Sequence, residues 1–124
     1  MIQGLGTDLI EIGRIRKSVD RYGTHFLDRL FTKTEQDYCL RYKDPIPHLA
    51  GRFAAKEAVA KALGTGFGAE LRFRDIEIVN DPKGKPIVIL SQKIEKQLGI
   101  VEILLSITHT KEHAFAVAIS KREG

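Results

Sequence analysis

The chain has 124 residues, 43% of them apolar and 29% charged, with a formal net charge of +4. This is the make-up of an ordinary globular chain long enough for one core, and it excludes disordered, collagenous and disulfide-stapled classes. The single cysteine, Cys39, has no partner in its own chain, the start Met1-Ile2-Gln3-Gly4 carries no basic, apolar leader, and no apolar run reaches the roughly 18 residues of a membrane span. One cytoplasmic domain over 1–124 is therefore expected.

Residues 2–12 are rich in β-branched residues and leucine and partly alternate, which predicts a strand, after which Gly13 opens a helix over 13–22. Within that helix Arg14, Lys17 and Arg21 recur at three-to-four spacing and form a basic stripe on one face. A solvated face is the ordinary meaning of such a stripe, and it gains a role only beside a site. A second helix is expected at 34–42, followed by the breaks Pro45 and Pro47. A third, at 49–63, is built of alanine, lysine, glutamate and leucine, with Gly64 as a left-handed cap.

Strands at 76–80 and 86–90 flank Asp81-Pro82-Lys83-Gly84-Lys85 and read as a hairpin. A short helix at 91–98 stops at Gly99, and strands at 102–108 and 114–120 are joined by His109-Thr110-Lys111-Glu112-His113. The sum is an α+β domain, an antiparallel sheet with packed helices.

Asp8 stands in Gly6-Thr7-Asp8-Leu9-Ile10, inside what otherwise reads as a core strand, where an ionised carboxylate needs a cation or several donors. Capping of the next helix or turn is the alternative. Glu57 and Lys61, four apart on the alanine-rich helix, point the same way, either as an exposed ion pair or as the lining of a cleft against a closely packed element. Two carboxylates near lysine suit magnesium on a phosphate ester.

Gly64-Thr65-Gly66-Phe67-Gly68 follows a helix rather than a strand, so it reads as a cap and turn whose amides can touch a ligand, not as a phosphate loop. His109-Thr110-Lys111-Glu112-His113 matches a zinc-peptidase spacing only formally, because that chemistry needs both histidines on one helix face and this stretch joins two strands.

Two long segments resemble the signatures of the bacterial holo-acyl-carrier-protein synthases, the small phosphopantetheinyl transferases of fatty acid synthesis. They are Gly4-x-Gly6-Thr7-Asp8-Leu9-Ile10-Glu11-Ile12 and Phe53-Ala54-Ala55-Lys56-Glu57-Ala58 through Lys61-Ala62-Leu63-Gly64-Thr65-Gly66. Gly84-Lys85-Pro86 and Ser106-Ile107-Thr108-His109-Thr110-Lys111 extend the likeness over nearly the whole chain, with Thr108 where many members have serine. Some members carry an aspartate near the second helix, where this chain offers Glu35 or Asp37.

The resemblance implies that Asp8 and Glu57 hold magnesium on the pyrophosphate of coenzyme A and that Lys61 meets charge on the phosphates; Glu57 is then the residue expected to assist deprotonation of the attacking serine, directly or through a metal-bound water. It further implies that Arg52, Gly64, Thr65, Gly66 and His109 hold coenzyme A, that Arg14, Lys17 and Arg21 dock an acidic acyl carrier protein, and that the chain forms a homotrimer with shared sites. Two rivals are a basic nucleic-acid-binding module, which the absence of tryptophan and the scarcity of aromatics disfavour, and a magnesium-dependent phosphoesterase that uses water as nucleophile.

Overall fold

The computed structural model describes residues 1–99 and 101–122. In chain order its elements are β1 (Ile2–Glu11), α1 (Ile12–Tyr22), α2 (Thr24–Leu30), α3 (Lys33–Leu40), α4 (Ile46–Leu63), a 3-10 turn (Phe73–Asp75), β2 (Ile76–Asn80), β3 (Pro86–Leu90), α5 (Gln92–Leu98), β4 (Val101–His109) and β5 (His113–Arg122). β5 lies between β1 and β4, antiparallel to both, and β2 and β3 form a separate antiparallel hairpin. The α+β fold expected from the sequence is the observed one.

Helix α4 is buried along nearly its whole length, from Ile46 through Ala62. A helix whose small and apolar residues are spread around its axis, with Arg52 and Lys56 buried among them, belongs in the middle of a fold. Its alanines meet Ala116 and Ala118 of β5 and Leu105 of β4 on one side, and Ile76, Ile78 and Leu90 of the hairpin on another. A second cluster, with Ile12, Ile15, Leu27, Phe31 and Cys39, closes α1 to α3 over the first half of α4. Burial pushes the Cys39 thiol up to about 11, which leaves it an inert packing residue.

Close approach of α4 to β1 depends on two glycines. A Cβ at Gly6 would lie 2.0 Å from the Ala58 carbonyl oxygen, and one at Gly4 1.9 Å from that of Ala62. Gly6→Ala is therefore expected to push α4 off the sheet and destabilise the protein by about 2 kcal/mol or more. Urea unfolding measures this, and an unchanged midpoint would mean that the contact relaxes freely.

Local signals explain most boundaries. Thr32 and Glu35 form a capping box that opens α3, Gly64 at φ 81° ends α4, and Ser91 caps α5. Three expectations shift. Pro47 lies in the first turn of α4 instead of before the helix, a position where its missing N–H costs no bond. α3 starts and stops earlier than 34–42, because the Thr32 box sets its origin. The short α2 was not foreseen, since seven residues carry too little periodicity to stand out.

Candidate active site

Asp8 lies on the inward face of β1, two residues beyond Gly6, and so reaches the side of α4 that the glycine lets approach. Its side chain is 17% exposed, and its Oδ1 is 3.5 Å from the Lys61 Nζ. Lys61 also donates to the Thr7 carbonyl oxygen at 2.8 Å, which ties the last turn of α4 to β1. Lys61 therefore turns toward β1 rather than forming a simple ion pair with Glu57.

Asp8 and Glu57 line one cavity of about 340 Å³ together with Arg14, Ser18, Phe26 and Phe53. Both carboxyls sit above their ordinary range. For Asp8 burial raises the value and Lys61 opposes it; for Glu57 burial acts first, the Asp8 charge adds to it, and Lys61 again opposes. Two partly buried carboxylates that repel each other thus share one cavity, with Arg14 on its lining and Lys61 beside Asp8.

That donor set fits a hard divalent cation. No group of three or more His, Cys, Asp or Glu side chains comes together among the described residues, so a site supplied wholly by protein ligands is absent there. Two carboxylates with room for ligand oxygens match what magnesium takes.

Of the basic stripe, Arg14 enters this cavity, while Lys17 and Arg21 stay exposed on the same helix beside it. The stripe thus borders the carboxylates. Arg52 and His109 instead line a second cavity of about 150 Å³, with His48, Asn80, Gly84 and Pro86. Arg52 donates from Nη2 to Asn80 Oδ1 and stacks over Tyr38, 4.4 Å from the ring centre.

Arg52 and Glu57 are five residues apart on α4, roughly 140° around its axis, so the two cavities open on different sides of the helix. They share no lining residue. Gly64 borders a third cavity with Lys61, Gln3 and Arg122, whereas Thr65 and Gly66 are exposed.

Glu35 and Asp37 do not reach the carboxylate cavity. Glu35 is buried against Lys56, and Asp37 is exposed and 3.5 Å from Lys33. His109 ends β4 and His113 begins β5; the turn between them is tied by Thr110 Oγ1, which accepts from the Glu112 and His113 amides. The zinc-peptidase spacing is accidental, as its place between strands implied.

His48, Asn80 and Phe53 were missed as lining residues. Only His48 carried a sequence signal, since it lies four residues before Arg52 and shares its helix face.

Comparison with known proteins shows the family. The family model described as the 4'-phosphopantetheinyl transferase superfamily matches residues 4–119. Holo-[acyl-carrier-protein] synthases of Chlamydia felis and Protochlamydia amoebophila are 52% identical over 116 residues and 50% identical over 119. The alignments cover 94% of this chain and 94% of the first relative, and 96% and 98% for the second.

Among solved structures, the Helicobacter pylori holo-[acyl-carrier-protein] synthase in complex with coenzyme A superposes with a TM-score of 0.87 at 38% identity, covering 94% of this chain and 99% of that one. The Neisseria meningitidis enzyme superposes with a TM-score of 0.91 at 35% identity, covering 98% and 100%. The glycine-backed carboxylate site and the full-length matches together lead to one assignment: the chain belongs to the holo-[acyl-carrier-protein] synthases of the 4'-phosphopantetheinyl transferase superfamily.

Proposed function

We propose that the chain transfers the 4'-phosphopantetheine group of coenzyme A to a serine hydroxyl of an apo acyl carrier protein and releases 3',5'-ADP, in the service of fatty acid synthesis. The observation that carries this reading is the pair Asp8 and Glu57 in one cavity with Arg14, flanked by Lys61. Asp8 and Glu57 would hold magnesium, which when bound offsets phosphate charge and so favours in-line displacement.

Lys61, anchored on the Thr7 carbonyl, holds a positive charge beside the phosphates where charge grows during transfer. The serine oxygen forms a bond to the phosphorus that bears pantetheine, and the bond from that phosphorus to the bridging oxygen breaks. Glu57 is our acceptor for the serine proton, because it lines the same cavity as Asp8 and Arg14, beside the phosphates. Phe26 and Phe53 wall the cavity and limit competing water.

Arg52 and His109 hold the adenosine end of coenzyme A, with the turn after Gly64 beside the lysine. A homotrimer with sites shared between copies reconciles the two cavities facing apart on α4, since one copy's carboxylates can meet the next copy's Arg52 cavity. The outer face of the three-stranded sheet supports this assembly: Leu5 and Leu9 are 65% and 64% exposed there, with Leu104 and Phe115 beside them. A reducing cytoplasm suits the lone thiol. No helix among the described residues is long and apolar enough to cross a membrane.

The test is incubation with coenzyme A, magnesium and an apo carrier, read by the intact mass of the carrier. A gain of one phosphopantetheine is expected, and no gain under any metal condition overturns the proposal; phosphate release without carrier modification would instead favour a phosphoesterase. Neutralising Arg14 and Arg21 is expected to raise the carrier's KM about tenfold, because steering by opposite charge is lost. An unchanged KM would remove the stripe from docking.

A further inference from the structure

His48 sits one turn before Arg52 on α4, and both side chains face the cavity that His109 closes from the end of β4. Its ring is held in place by stacking on Tyr42, with centroids 3.5 Å apart and planes within 15°, and it lies 6.4 Å from the His109 ring. The Tyr42 hydroxyl is in turn 3.0 Å from that of Tyr38, whose ring carries the Arg52 guanidinium. This is a rigid wall with three cationic or protonatable groups on it.

Arg52 is only 6% exposed, yet its Nε has no hydrogen-bond partner among the described residues. A buried guanidinium with an unmade bond is costly unless a ligand completes it. Local negative charge does not fill that role. Asp44, the carboxylate acting on His48, is held by both terminal nitrogens of Arg16 at 2.7 and 3.3 Å. Asp81, on the far side of Arg52, accepts from the Lys83 and Lys85 amides. Of the other neighbours, Tyr38, Tyr42 and Asn80 are uncharged donors or acceptors, and Arg41, 4.9 Å from the Tyr38 ring centre, adds positive charge.

We propose that His48 completes a phosphomonoester clamp with Arg52 and His109, holding the ribose 3'-phosphate of coenzyme A and taking up a proton as the phosphate enters. The proposal rests on the reading that coenzyme A is the substrate. Coenzyme A has two anionic centres; the reacting diphosphate belongs with Asp8, Glu57 and Lys61, which leaves the 3'-phosphate for the cationic cavity.

Burial, with His109 and Arg52 nearby, holds the His48 imidazole below its ordinary range and so favours the neutral ring before binding. A phosphate dianion beside the ring reverses that preference. The complex then binds more protons than its separate parts, so affinity strengthens as pH falls through the bound-state pKa of His48 and levels off below the free-state one. The phosphate loses its own second charge near about pH 6, which confines the gain to the range above it.

The experiment is calorimetric titration of the full-length protein with coenzyme A and with dephospho-coenzyme A, at neutral pH, in buffers of differing ionisation enthalpy. Wild-type protein is expected to take up more protons with coenzyme A than with the dephospho form. His48→Phe, which keeps the stack on Tyr42, and His48→Gln, which keeps a neutral polar group, should both lose that excess.

Both variants should also bind coenzyme A about tenfold more weakly and change by less than about twofold toward the dephospho form. A variant of wild-type circular dichroism that keeps the excess uptake and the preference for coenzyme A overturns the clamp. If wild-type protein binds neither ligand, the transferase reading fails instead, so the two failures are distinguishable. Should one variant not fold, the other decides.

Discussion

Asp8→Asn and Glu57→Gln are each expected to lower phosphopantetheine transfer by at least about a hundredfold while leaving the protein folded. Both substitutions keep side-chain shape and remove one anionic ligand from the cavity they share. The same changes should stabilise the metal-free protein. Each carboxyl is raised above its ordinary range in the fold, by burial first and, for Glu57, by the neighbouring Asp8.

Between the unfolded and folded pKa of such a group the folded protein binds more protons, so wild-type stability falls as pH rises through that interval. The asparagine and glutamine variants lose that fall. Saturating magnesium should raise the wild-type melting temperature and leave the variants unmoved, because only a ligand bound to the native state stabilises it. Carrier mass gain and thermal melting across the acid-to-neutral range measure both halves. Retained transfer in Asp8→Asn would remove that residue from the metal site.

Lys56→Met is expected to cost about 3–5 kcal/mol of folding stability, because it leaves the Glu35 carboxyl in the core without its cationic partner. Neither side chain has any exposed surface, and Lys56 Nζ lies 2.6 Å from Glu35 Oε1. The lysine also donates to the Leu30 carbonyl at 2.7 Å and the Phe73 carbonyl at 3.1 Å. Glu35 accepts from the Thr32 amide at 2.9 Å and the Ile78 amide at 2.8 Å.

One buried pair thus joins α2, α3, α4, the 3-10 turn and β2, and it fixes the rotation of the helix that carries Glu57 one residue later. Replacing both partners together, Lys56→Met with Glu35→Gln, should cost clearly less than the two single changes summed, since no charge is then left behind. Urea unfolding of the four proteins gives the coupling directly. Additive costs would show that the pair is not a unit.

Elements and chemistry were legible to different depths. The hairpin around Asp81 and Gly84, the Gly64 cap and the strands flanking His109 to His113 depend on local turn chemistry, and the sequence places them within a residue or two. The two signatures also carried the family, because each is long and they occur in order. Lys56 and Glu35 could not be paired from sequence. They are 21 positions apart in charged surroundings, and only packing shows that both are buried.

The carboxylate site divides along the same line. Sequence by itself determined that Asp8 was out of place in a core strand and that Glu57 and Lys61 shared a helix face, because strand and helix periods decide direction locally. The tertiary structure decided that Lys61 turns to Thr7 and Asp8. It also decided that Arg14 enters the same cavity and that Arg52 with His48 opens on another side of α4. Those outcomes depend on how closely α4 can approach β1, which two glycines permit and no local pattern encodes.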